Sequence, residues 1–178
     1  PFTATCMKGR ANYLCLHRLA QARQSAQWPD RASLRTLAKL EQWSHAIANV
    51  PQAWTITQGR PEVIVASLDT GCDYSHPDLQ GQVVNGTAFA ENKDDSRDID
   101  EHGTHVAGII AAKSNNGQGV SGVAPGSRVL AMKIFEPYME DGKFMGTFYN
   151  AYTLVRALQY VATQGEAKIV NISAGIAD

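Results

Sequence analysis

Residues 63 to 79 read VIVASLDTGCDYSHPDL. Val63, Ile64, Val65, Ala66 and Leu68 form a nearly unbroken β-branched and apolar run. Such a run predicts a strand buried on both faces, as strands of parallel sheets are. Asp69 falls at its carboxyl end, where Thr70 and Gly71 turn the chain. Open α/β folds place their sites on the rim formed by those strand ends, so Asp69 is a candidate functional acid. The same residues would also suit a plain turn capped by an Asp side chain.

Working outward, the pattern alternates between strand and helix. Gln82 to Ala90 predicts a short extended segment, and His102 a helix to about Lys113 with Val106, Ile109 and Ile110 as its buried stripe. Arg128 to Phe135 reads as the next buried strand. Thr147 is the expected cap of a helix that faces the sheet through Ala151, Leu154, Ala157, Leu158 and Val161 and ends at Gly165. KIVNIS, Lys168 to Ser173, is the last strand. This alternation implies an α/β fold with a parallel sheet and right-handed crossovers. An apolar KIVNIS edge left unpaired predicts aggregation or loose structure for the chain by itself.

Composition sets outer bounds. The chain has 178 residues, 44% of them hydrophobic and 19% charged, which suits one globular domain with a sizeable core. No apolar run reaches membrane-spanning length. The opening PFTATCMKGR has neither the apolar core nor the cleavage site of a signal peptide, and a chain that begins at Pro1 reads as a processed or fragment end. Three cysteines are an odd number and too few to suggest a disulfide framework. Charge is divided: residues 1–48 hold seven Lys/Arg against two Asp/Glu, and residues 49–178 hold nine against fifteen, so +5 is joined to −6. Two segments with different partners or histories would account for that.

Residues 1–41 read as a basic helical segment. Tyr13, Leu16, Leu19 and Ala20 have helical spacing, and a second helix is expected from Asp30 through Leu34, Leu37, Leu40 and Ile47. Within it, KGRANYLCLHRL (residues 8–19) resembles the segment of DinG-type iron-sulfur DNA helicases that supplies the first cluster cysteine, here Cys15. Helicase function does not follow, because such a cluster needs four thiolates and no GKT or GKS phosphate loop is present. A solvated basic face is the commoner use of such a helix, with nucleic-acid binding the alternative.

Two further motifs give Asp69 a setting: HGTHVAG at His102 to Gly108, and GVAP at Gly122 to Pro125. With DTGxDxxHPDL they resemble, in order and spacing, the subtilisin-like serine proteases. The resemblance runs from about Gln42, where QWSHAIANVPQAW is similar to the family's lead-in, so the seam lies between about Thr36 and Asn49. A natural fusion and a misjoined gene both fit it. What the resemblance implies is a three-layer, parallel-sheet subtilisin-like fold, incomplete at the C-terminus, with residues 42–178 as the N-terminal half of the peptidase domain. Protein or peptide substrates, no catalytic cofactor and a place outside the cell are implied with it.

Chemistry then assigns roles. A serine hydroxyl is a poor nucleophile at neutral pH, so a histidine must take its proton and a carboxylate must orient that histidine. Asp69 matches the orienting acid and His102 the general base, while His105, one helical turn on, is expected to be structural. A metal site of Asp69, His102 and His105 is the competing arrangement, but HGTH lacks the four-residue spacing and intervening Glu of helical zinc pairs. None of the ten serines lies in a GTSMAxP or GxSxG context, and the oxyanion Asn is missing too. The 178 residues alone are therefore expected to be inactive.

The resemblance also implies binding residues. Ser173, Ala174 and Gly175 match the segment that pairs with substrate as an added strand, and Asp141 to Gly146 the opposite wall. Ala174 and Ile176 depart from the family's larger apolar residue and second Gly, which alters the expected specificity pocket. A structural calcium is implied at Asp78, Lys113, Asn116, Gln118 and Val120, weakened because the family draws one more ligand from the N-terminal arm replaced here. A plain Asn-Gly turn is the alternative. The run ENKDDSRDIDE (residues 91–101), with six acids in eleven residues, is expected to be a solvated loop. Two other functions stay open: an inactive peptide-binding module, and a nucleic-acid-binding protein acting through the basic segment.

Overall fold

The computed structural model describes residues 48–89, 95–117 and 119–174. The expected helices of residues 1–41, the lead-in to residue 47, Gln118 and Gly175 lie outside the described residues. The chain divides into two units at Pro51/Gln52, and the elements of the second carry the candidate site.

Among the described residues nine elements follow in order: α1 (Val50–Trp54), β1 (Ile64–Asp69), β2 (Val83–Ala88), α2 (His102–Ala111), β3 (Arg128–Lys133), β4 (Glu136–Glu140), β5 (Lys143–Phe148), α3 (Ala151–Gln164) and β6 (Ala167–Ile172). Four strands form one sheet in the order β2-β3-β1-β6, and every pairing is parallel. The apolar run at residues 63–68 thus becomes a central strand, with every residue of β1 buried. A separate antiparallel hairpin, β4 and β5, turns at Asp141 and Gly142, both at positive φ.

Side chains of alternate strand residues feed two cores, as the pleat requires. Ile64, Ala66, Leu68, Leu130 and Met132 pack with Ala157 and Val161 of α3. Val129 and Ala131 pack on the other face with Cys72, Leu79, Ala107 and Ala111. Helix, sheet and helix therefore make the three layers expected. The chain leaves β1 toward the α2 face and leaves β3 toward the α3 face, so the two adjacent strand ends diverge. A crevice at such a switch point is where open α/β sheets place ligands, and Asp69 stands beside it.

Helix details differ from expectation. On α2 the fully buried residues are Gly103, Ala107, Gly108 and Ala111, while Val106, Ile109 and Ile110 are only half-buried. Close approach decides this at the start of the helix, where Gly103 lies against the turn after β1 and a Cβ would meet the Gly71 carbonyl oxygen. The cap of α3 is Asn150, whose side chain accepts from Thr153 N at 2.8 Å, and not Thr147, which belongs to β5. Thr153, Ala157 and Val161 are its buried face, Leu154 is half-buried, and Ala151 and Leu158 point outward. Leu154, Ala157 and Val161 of the expected face thus turn to the sheet, joined by Thr153, while its flanking members Ala151 and Leu158 do not. Gly165 does end α3, at φ 67°.

β6 is an edge of the described sheet, and Ile169, Val170 and Ile172 on it are about half exposed. The expected apolar edge is therefore present. Small residues under α2 give a direct check: Ala107→Leu should destabilise the fold by about 1–3 kcal/mol through overpacking, whereas Val106→Leu should change it by less than about 0.5 kcal/mol. Urea unfolding of the two variants would separate a small-residue seam from the larger apolar stripe.

Candidate active site

Asp69 ends β1 with its side chain 1% exposed, and His102 opens α2. These residues lie 33 apart in sequence, yet His102 Nδ1–H donates to Asp69 Oδ1 at 2.7 Å. Thr70 N–H donates to the same oxygen at 2.7 Å. Asp69 Oδ2 is buried and accepts from no described residue. A carboxylate on Nδ1 holds the imidazole in the tautomer whose other nitrogen carries a lone pair, and that is the form of a general base.

The hydrogen bond to Asp69 raises the His102 imidazole above its ordinary value near 6.5. Burial pulls the other way, and the negative charges of Asp69, Asp100 and Asp98 add to the rise. Cys72, three residues past Asp69, is the nearby thiol to weigh as a nucleophile. Burial, then the charges of Asp98, Asp73 and Asp69, push it up to about 12. It stays a neutral thiol at physiological pH and cannot serve.

Two glycines permit this meeting of strand end and helix start. A Cβ on Gly103 would lie 2.0 Å from the Gly71 carbonyl oxygen, so any side chain there would push α2 off the turn. Gly71 itself sits at φ 116°, and a Cβ on it would strike the carbonyls of Ser96 and Arg97 at 2.5 Å. At the far end of α2, Gln82 Nε2 donates to Ala111 O at 2.7 Å and Pro125 O at 2.6 Å, tying the helix to the GVAP loop.

Of the acidic run, residues 95–101 are described, and their acids differ in setting. Asp95 has its side chain about half exposed and pairs with Arg97 at 3.2 Å. Asp98 instead turns inward and accepts from Thr70 Oγ1 and Thr104 N, both at 2.7 Å. Sequence reasoning missed Asp98, Thr70 and Thr104 as parts of the site. The available signal was a helix opening at His102 with Glu101 before it, where no Ser, Thr, Asp or Asn stood in the cap position.

Asp78, Asn116 and Val120 do come together. Asp78, 2% exposed, accepts from Asn116 Nδ2 at 2.6 Å and from Val120 N at 2.7 Å, and its carbonyl accepts from Lys113 N at 3.1 Å. The loop folds so tightly over the carboxylate that a Cβ on Gly119 would lie 1.8 Å from Oδ2. Asp69, His102 and His105 do not make a metal site: among the described residues no group of three His, Cys, Asp or Glu could hold an ion. Ser173 and Ala174 follow β6 directly, with Asn171 Nδ2 donating to Ser173 Oγ at 2.9 Å. Residues 141–146 form the exposed tip and second strand of the β4–β5 hairpin. No helix among the described residues is long and apolar enough to cross a membrane.

Comparison with known proteins agrees with this geometry. The Subtilase family, peptidase S8, matches residues 60–177. A thermophilic serine proteinase of Bacillus sp. (strain AK1) is 42% identical over 69% of this chain and 28% of its own length. Thermitase of Thermoactinomyces vulgaris is 39% identical over 70% of this chain and 41% of its own length. Among solved structures, fervidolysin from Fervidobacterium pennivorans superposes with TM-score 0.52 at 35% identity, covering 67% of this chain and 18% of that one. The chain thus spans well under half the length of these relatives. An acid and a histidine joined at 2.7 Å on this sheet, within a match that covers most of the chain, identify it as a member of the subtilase family of serine proteases.

Proposed function

We propose that the chain is the acid-and-base half of a serine endopeptidase, acting on protein or peptide substrates in a longer protein that supplies the nucleophilic serine and oxyanion donors. The 2.7 Å contact between buried Asp69 and His102 carries this proposal. In it, His102 takes the proton of a serine hydroxyl as the oxygen attacks the peptide carbonyl. The protonated imidazole, stabilised by Asp69, passes that proton to the leaving amine, and the acyl-enzyme is then cleaved by water. Ser173, Ala174 and Gly175 would pair with the substrate backbone beyond β6, opposite the β4–β5 hairpin. The 178 residues by themselves are inactive on this account, and a place outside the cell belongs to the same proposal.

A structural calcium at Asp78 is proposed beside it. The support is an aspartate sealed from solvent whose carboxylate meets only N–H donors among the described residues. A buried anion without a cationic partner is costly. Turning the Asn116 amide over would offer an oxygen in place of its nitrogen, and Lys113, Gln118 and Val120 would add backbone oxygens. The ion would supply charge neutralisation and hold the loop to α2, with no part in bond cleavage.

The test of the main proposal is peptide hydrolysis by the full-length protein. His102→Ala and Asp69→Asn should each lower kcat by roughly 10⁴-fold or more, and an unchanged rate in either would sink the assignment. The base must be neutral to act, and its pKa is raised, so the rising limb of kcat/KM should lie above pH 6.5. Asp100→Asn removes one of the charges that raise it and should move that limb to lower pH. The same shift has a stability consequence: protonated His102 favours the fold, a contribution present in full below about pH 6.5 and lost as pH rises through the raised value. For calcium, millimolar ion should raise the midpoint of thermal unfolding and chelator should lower it. Asp78→Asn should abolish that difference, and a midpoint indifferent to calcium in the wild type would end the idea.

A further inference from the structure

Helix α2 opens without a cap of its own. Glu101 precedes it in the left-handed region at φ 63°, and its side chain makes no capping hydrogen bond. The first-turn N–H groups of a helix have no partner inside it and need one from elsewhere. Here Gly103 N donates to Thr70 Oγ1 at 2.9 Å, and Thr104 N donates to Asp98 Oδ2 at 2.7 Å. Thr70 Oγ1 in turn donates to Asp98 Oδ1 at 2.7 Å, and the Thr104 hydroxyl donates to Asp98 Oδ2. Thr104 Oγ1 also accepts from Asp73 N at 2.9 Å, and Asp98 Oδ1 from Asp100 N at 3.0 Å.

This network joins the two ends of the catalytic contact. Thr70 is next to Asp69 on one side, and Gly103 and Thr104 follow His102 on the other. We infer that Asp98, acting through Thr70 and Thr104, is a positioning residue that sets the distance between Asp69 and His102. The inference rests on the proposed roles of that pair. It needs an acceptor on both oxygens at once: a hydroxyl and a backbone N–H with a second hydroxyl converge on the two ends of the carboxylate. An amide at position 98 offers one oxygen and one NH₂, so whichever way it is turned a backbone N–H, of Asp100 at one end or Thr104 at the other, would face a donor with a donor. The charge also sits at the positive end of α2, where an anion is favoured.

Three carboxylates raise the His102 imidazole: Asp69 on β1, and Asp98 and Asp100 on the segment before α2, while Cys72 beneath stays neutral. Removing Asp98 would therefore change the local charge as well as the geometry. Thr70→Val keeps every charge and the shape while deleting the bridging hydroxyl, so it separates the two.

The experiment is an NMR titration of the His102 ring in the full chain, with Asp69→Asn as the reference for a lost contact. In Thr70→Val the midpoint should fall toward that of Asp69→Asn, and Thr70→Ser should restore it. Asp98→Asn should lower it as well, and the Thr70→Val/Asp98→Asn pair should lower it by less than the sum of the two. A folded Thr70→Val that titrates as the wild type overturns the inference and leaves Asp98 a distant charge. Hydrogen exchange of the wild type is a second check that needs no variant: the Gly103 and Thr104 amides should be protected, and free exchange at both would equally overturn it. In the full-length protein, Thr70→Val should reduce kcat roughly 10- to 100-fold with KM little changed. Absence of peptidase activity in the wild type would remove the proposed function and leave the titration result standing.

Discussion

Everything at the candidate site depends on how closely the first turn of α2 approaches the turn that ends β1. Gly103 against the Gly71 carbonyl leaves no space for a side chain on the helix, and the Asp69–His102 hydrogen bond spans that seam at 2.7 Å. Backbone therefore packs on backbone where the chemistry is held. Two consequences follow. The buried face of α2 is built from Gly103, Ala107, Gly108 and Ala111 and not from its larger apolar residues, with Gly103 the position where no side chain fits. The polar groups exposed by so close an approach must be satisfied by side chains brought from other segments, which is the work of Thr70, Asp98 and Thr104.

The electrostatics of the site are of one sign. Asp69, Asp98 and Asp100 all favour the charged form of His102, and the buried thiol of Cys72 stays neutral. An imidazole so placed is suited to hold a proton transiently during acyl transfer, since the protonated form is stabilised where it forms. Asp78 lies in a different setting. Its carboxylate is enclosed by a loop that supplies only N–H groups, and a cation there would relieve an anion already buried. One aspartate thus bonds an imidazole, a second bridges Thr70 and Thr104 beside it and a third is enclosed by a loop.

Much of this was legible in the chain itself. Largely apolar runs at residues 63–68 and 128–135 announced buried parallel strands, because a strand covered on both faces has little polar side to show. The resemblance carried by DTGxDxxHPDL, HGTHVAG and GVAP named Asp69, His102 and the loop around Asp78 as candidates, and the structure brings Asp69 to His102 and Asp78 to Asn116 and Val120. Local signals also erred where neighbours decide: Thr147 looked like a cap, but the β4–β5 hairpin claimed it and left the role to Asn150.

Only the tertiary structure could divide the acidic run into a solvated Asp95 and an inward Asp98. In sequence the two are alike, three positions apart among other acids, and nothing local marks either one. What separates them is that Asp98 meets Thr70 from the turn after β1 and Thr104 from α2, partners 28 residues before it and six after it. The buried face of α2 was hidden for the same reason, since hydrophobicity ranks Ile109 and Ile110 above Ala107 and Gly108, while the distance between helix and sheet ranks them the other way. The chain alone determined which residues are capable of the chemistry and on which elements they stand. Their distances, their protonation and the hydrogen bonds that hold them depend on segments brought together from across the chain, and so were decided by the fold.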